Sequence, residues 1–296
     1  MTDPYADAAG LVARSAAAYA SSVPIDPADD GFFGPASVTW RVSADLSSIV
    51  AGLRALLVQA LHPLAMAGVD QHSDWRRDPV GRLAATSSYL ATVSFGDRAA
   101  AERAAARVRR IHEHVHGVDQ VTGRSYAASD PALLLWIHAV LVESTLVACE
   151  LFGTPLEPAD GDRYVAEMVV AAELVGVPGA LVPADLAGLR QYLSSVRPEL
   201  RCTPAAAEAA AFLLDPPGLD EDIADIWQDI RDGATAALPD WAREMYGYRM
   251  AGALPPARRT EIRQALGVLD AVFLGELGVL EARQRIALRM RAAQRA

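Results

Sequence analysis

An all-α, single-domain fold is what the sequence predicts, on three observations. Apolar residues recur at three- and four-residue spacing: Leu46, Ile49, Val50, Leu53, Leu56, Leu57 and Leu61 form one such stripe. No segment alternates β-branched with polar residues long enough to read as a half-buried strand. Alanine is abundant, which favours helix intrinsically and lets neighbouring helices approach closely. With 296 residues, 52% of them apolar, the chain can bury a substantial core, and disorder is excluded as its main state.

In chain order, Asp45 stands where an N-cap would open the helix carrying that first stripe, and Pro63 should kink or end it. Asp97 is placed to cap a helix from Arg98 to His116, with Gly117 as the residue that closes it. Ser129-Asp130-Pro131 starts the next, with proline in the first turn. It runs through Leu133, Leu134, Ile137, Leu141 and Leu146 to Gly153 and is apolar on nearly every side, so it belongs at the centre. Further helices are predicted at 160–175, 183–194, 203–214, 219–232 and 257–294, divided by Pro and Gly punctuation. The stretches around Pro216-Pro217 and Pro255-Pro256 read as loops within one domain, 1–296.

Twenty-seven basic residues against 37 acidic ones leave a net charge of −10, which argues against a nucleic-acid partner. All 27 basic residues are arginine, and asparagine is also missing. Schiff-base and P-loop lysine chemistry, a Cys-His-Asn protease and N-glycosylation are thereby excluded. Cys149 and Cys202 are too few for a disulfide framework or a Cys-rich metal site and read as buried thiols. Apolar stretches such as 53–57 and 131–141 stop short of the roughly 18–20 residues a membrane span needs. The N-terminus, with Asp3 and Asp7, is unlike a secretory signal, so a cytoplasmic chain without a membrane span is expected. From 251 to 296 eight arginines stand against four acids; Arg283, Arg285, Arg289, Arg291 and Arg295 read as a solvated face, or as one touching an acidic partner or membrane surface.

Three stretches could carry chemistry. His112-Glu113-His114-Val115-His116 matches H-E-x-x-H, which on a helix sets two imidazoles one turn apart around a general-base Glu. A zinc hydrolase is therefore one reading, but Asp119 and Thr122 stand where a Gly and a third His ligand would follow. His138 sits in the middle of the most apolar helix, where an imidazole needs either a hydrogen-bond partner or a metal; the residues leave both open. The third stretch runs from Leu61-His62-Pro63 to Asp78-Pro79-Val80-Gly81-Arg82 and on to Thr86. His62 lies at a helix distortion, and Arg82 and Thr86, four apart, share a helical face.

At these residues the chain resembles a known family. It contains the catalytic domain of rubber oxygenase and the membrane-bound fungal oxygenase that shortens the prenyl chain of mycophenolic acid precursors. The resemblance runs from about Gly34 to Gly247, through G-P-A-S-V-T-W-R-V (34–42), A-L-H-P-L-A-M-A-G-V (60–69) and D-P-V-G-R-L-A-A-T (78–86). It continues through S-F-G-D (94–97), V-T-G-R-S-Y (121–126), L-W-I-H-A-V-L-V-E-S (135–144) and P-D-W-A-R-E-M-Y-G (239–247). The resemblance implies a partly globin-like helical fold with one b-type haem in a cleft between helices. It places His138 as the proximal iron ligand and Arg82 and Thr86 near the haem on its reaction side; His62, at its helix distortion, is a further candidate for cofactor contact. Rubber oxygenases can carry a lysine just before that Thr; here the residue is Ala85, which implies an open sixth position on the iron. The implied function is a haem oxygenase using dioxygen on an apolar, alkene- or prenyl-bearing small molecule, with an electron donor as a further partner. A haem carrier or sensor without turnover, and a scaffold that has lost haem, are the other readings.

Overall fold

The computed structural model describes residues 29–216, 221–248 and 254–269. It is all-α apart from one small hairpin. Ser37 caps α1 (Val38–Ser43), its hydroxyl accepting from the Trp40 amide at 3.0 Å. Helices α2 (Ser47–Gln59) and α3 (Pro63–His72) meet at a 102° bend. Pro63 has no N–H to continue the ladder, so the chain ends one helix and begins another there, as expected. The cap at α2 is displaced by one residue from the expected position. Leu46 occupies it, while the Asp45 carboxylate accepts from the amides of Ser47 and Thr154 and ties this helix start to the chain beyond the central helix.

Helix α4 (Pro79–Phe95) is capped by Asp78, and α5 (Arg98–His112) by Asp97 as predicted. The expected continuation of α5 to His116 does not occur. Amides of His114 and Val115 turn back onto the carbonyls of Ile111 and His112, and the chain enters a hairpin of β1 (His116–Val118) and β2 (Ser125–Ala127). Tertiary packing forces the change: Tyr126, with Val115 against it, is buried among Leu64, Ala67 and Leu133. Gly117 is therefore no helix cap. A Cβ there would stand 2.8 Å from the Tyr126 hydroxyl, so glycine serves this close approach.

Asp130 caps α6 (Pro131–Phe152), the helix predicted to be central. At 22 residues it is long and apolar enough to cross a membrane, which corrects the expectation drawn from 131–141; 61% of its most apolar window is buried inside the protein. Met168 breaks the predicted 160–175 helix into α7 (Pro158–Glu167) and α8 (Val169–Val175). The remaining helices are α9 (Leu186–Val196), α10 (Pro204–Leu214), α11 (Glu221–Ala236), α12 (Asp240–Tyr246) and α13 (Pro256–Leu269). The arginines from 283 to 295 lie outside the described residues.

The main core is built where α2 lies along α6, with α11 and α13 closing over them around Leu57, Trp136, Val140, Phe152, Ile230 and Ile262. Arg54 is buried within it, 1% exposed. Its guanidinium donates to Glu143 (2.5 and 3.0 Å), to Ser144 Oγ (2.6 Å) and to the Ala237 carbonyl (2.8 Å). A buried charge is tolerated only when paired and hydrogen-bonded in this way. Both thiols are free; Cys149 is buried and Cys202 half-buried.

Candidate functional site

The candidate side chains lie on helices that do not all pack directly on one another. Helix α4 packs on α5 and α1, and α8 packs on both α5 and α6. The α4–α5 pair makes no comparably close contact with α6. Gly176, at the end of α8, shows how the walls converge: a Cβ there would lie 3.9 Å from both Arg109 of α5 and Leu134 of α6. One turn after Leu134 comes His138.

His138 keeps part of its surface, and its neighbour Ile137 is 38% exposed although it sits mid-way along the core helix. Burial nevertheless pulls the His138 imidazole down to about 4. A ring that retains surface yet is this strongly desolvated sits in a recess, neutral at ordinary pH. Among the described residues it makes no hydrogen bond. Trp136, two residues earlier and about 200° away round the helix, points to the opposite side, where its Nε1–H donates to the Gln59 carbonyl. Glu143 belongs to the Arg54 cluster and does not orient His138.

From α4, Arg82, Leu83, Ala85 and Thr86 are exposed. Arg82 has no acidic partner among the described residues, and the surrounding protein lowers its pKa by desolvation. Thr86 lies one turn on, as its spacing predicts, and its hydroxyl donates back to the Arg82 carbonyl at 3.1 Å. It thus has lone pairs to offer rather than a proton. Tyr89 continues the same face and is pushed up to about 12 by burial.

One group that the sequence did not single out for this cleft is His112, the last residue of α5. Its Nδ1 is buried without a partner, and its pKa is lowered first by burial and then by the charge of Arg82. The signal available in the sequence was its place in H-E-x-x-H, which points to zinc instead. Because α5 stops at His112 and His116 lies in β1, the two imidazoles are not one helical turn apart. Among the described residues no three His, Cys, Asp or Glu side chains gather to hold a metal ion.

His62 is placed elsewhere. It is buried, it caps α3 by accepting weakly from the Ala65 amide at 3.5 Å, and its ring packs on Trp136 at 5.9 Å. It thus belongs to the Trp136 side of α6, away from His138. Two open grooves on the surface, of about 660 and 600 Å³, include none of His138, Arg82 and Thr86. The first runs between α5 and α8 past Phe32, Arg103 and Glu173; the second passes Phe212, Tyr246 and Tyr248.

A haem group fits this residue set. Its demands are an apolar slot between helices, a neutral imidazole and cations for its propionates. Across α4, α5 and α6 the chain offers two imidazoles and Arg82, all without partners among the described residues, and the exposed apolar side chains of Leu83 and Ile137. Among known proteins, no curated protein and no solved structure matches this chain. The family described as ER-bound oxygenase mpaB/B′/rubber oxygenase, catalytic domain, matches residues 40–271, a span that holds every side chain described at the cleft. The chain belongs to this oxygenase family and is an enzyme of the oxygenase class.

Proposed function

We propose that the protein is a haem b-dependent oxygenase that uses dioxygen on an apolar, alkene- or prenyl-bearing small molecule. The observation that carries this reading is the recess around His138: a neutral, half-buried imidazole with no hydrogen-bond partner among the described residues, in the middle of the core helix. Bound haem would supply an iron centre able to bind and activate dioxygen.

The chain's own residues have separable tasks. His138 is the proposed iron ligand; burial keeps it unprotonated, as ligation requires. His112 meets the same requirement from the other wall, since its Nδ1 is buried and unpaired. Arg82 stays cationic without a carboxylate partner, and so is free to hold a propionate or to stabilise charge that develops in the reaction. Thr86, its proton committed to the Arg82 carbonyl, accepts a hydrogen bond from a group in the cleft. Leu83 and Ile137 present apolar surface to the substrate and keep water from the reacting atoms.

The test is an absorption spectrum of the protein supplied with haem, in ferric, dithionite-reduced and carbon-monoxide-bound forms, for wild type, His138→Ala and His112→Ala. A Soret band that shifts with carbon monoxide is expected for wild type. Loss of that band in His138→Ala, with helical content kept by circular dichroism, identifies the ligand as proposed. Loss in His112→Ala alone moves the ligand to α5. A folded wild-type chain that takes up no haem overturns the reading.

A further inference from the structure

The arginine-rich character of α5 has no part in the cleft chemistry. Between Arg98 and His112 stand five arginines and one acid, on a chain whose net charge is −10. At about 100° per residue, Arg103, Arg107 and Arg110 fall within roughly 60° of one another, and His112 lies about 180° from Arg103. The burial pattern agrees: Ala101 and Ala105, on the His112 side, are fully buried, while the three arginines are exposed. None of the three has an ion-pair partner among the described residues, although Arg41, Arg76, Arg124 and Arg258 elsewhere do. One helix thus shows positive charge on its outer face and an imidazole on the opposite one, about one helix diameter, roughly 10 Å, across the axis.

On the haem-oxygenase reading, which this inference rests on, we infer that the Arg103–Arg107–Arg110 face docks an acidic one-electron carrier protein. Charge complementarity selects the partner: a negative surface is steered to this strongly positive helix face of a chain whose net charge is −10. Small, weak, electrostatically guided contacts are the habit of redox encounters. A lipid surface fits less well. Interfacial helices bury large apolar side chains, whereas the positions interleaved here are Ala99, Ala104 and Ala106, with Ile111 the single large apolar neighbour. In each encounter one electron leaves the carrier's reduced iron–sulfur centre, which is oxidised. The oxygenase is reduced by that electron, and no atom is transferred.

The experiment uses the full chain and an acidic plant-type [2Fe–2S] ferredoxin as probe. Binding is measured by biolayer interferometry at low and high salt, beside vesicles of phosphatidylserine and phosphatidylcholine. Binding to the ferredoxin at low salt, lost at high salt, is expected. It should weaken at least about tenfold in Arg103→Glu/Arg107→Glu/Arg110→Glu, and measurably in the milder triple replacement by Gln. Arg190→Glu, an exposed reversal on α9, should bind like wild type, whereas Arg107→Glu should not. Equal binding by the triple variants overturns the inference, as does binding to vesicles in place of ferredoxin. A chain that takes up haem normally and yet binds no ferredoxin sinks the docking face alone; a chain that takes up no haem removes the reading beneath it.

Discussion

The imidazole of His138 titrates near 4 in the folded protein, against about 6.5 for the free side chain. Between those values the unfolded chain takes up a proton that the folded chain refuses, so stability is full above about pH 6.5 and declines as pH falls toward 4. His62 and His112 are shifted in the same direction, chiefly by burial, and add to the decline. Urea midpoints of the haem-free protein should therefore fall steadily from about pH 7 to about pH 4, with a shallower fall in His138→Gln. An unchanged slope in that variant would show that the ring is not desolvated. At this scale much was legible in the sequence. Asp97 and Asp130 cap the helices they were expected to cap, and Arg82 and Thr86 share a face because four residues separate them on α4. His62 and His112 were not separable in this way. Each stands at a helix boundary, and whether such a ring caps a helix or opens to a cleft depends on chains remote in sequence.

Helices α2 and α6 are clamped by Arg54, which also reaches the carbonyl of Ala237 between α11 and α12. Removing one side of a buried, hydrogen-bonded pair leaves the other uncompensated, so Arg54→Ala should lower stability by roughly 3–5 kcal/mol. Chemical denaturation followed by far-UV circular dichroism measures this; an effect under about 1 kcal/mol would show that the cluster is not what joins these helices. Helix existence was readable across the chain because apolar spacing and Pro, Asp and Gly punctuation are local signals. Boundaries were less so. The hairpin after α5 is set by the burial of Tyr126 and Val115 against α3 and α6, and the break at Met168 lies between two helices that pack on different neighbours, α1 and α5. Three-residue strands carry no periodicity to detect.

At the scale of the molecule, the α4–α5 pair is bridged to α6 through α8 and not by direct close packing, and the proposed haem cleft lies between them. A haem bound there adds contacts between walls that otherwise lack them, so binding to the native state alone should stabilise the fold. At a hundredfold excess over Kd the gain is about 2.7 kcal/mol, a rise in Tm of roughly 5 °C or more by differential scanning calorimetry. The rise should disappear in whichever of His138→Ala and His112→Ala loses the Soret band; a Tm insensitive to haem in wild type would show that the native chain does not bind it. By itself the sequence determined the helical class, the central place of 131–152, the acidic balance without lysine, and family membership through ordered motifs between 34 and 247. Each is set by local spacing or by composition. Only the tertiary structure decided that His112 lies near Arg82 while His62 packs on Trp136, that His112 and His116 are not paired on one helix, and that Glu143 serves Arg54. Those outcomes depend on which helix faces meet across the fold, a matter of packing among residues far apart in the chain.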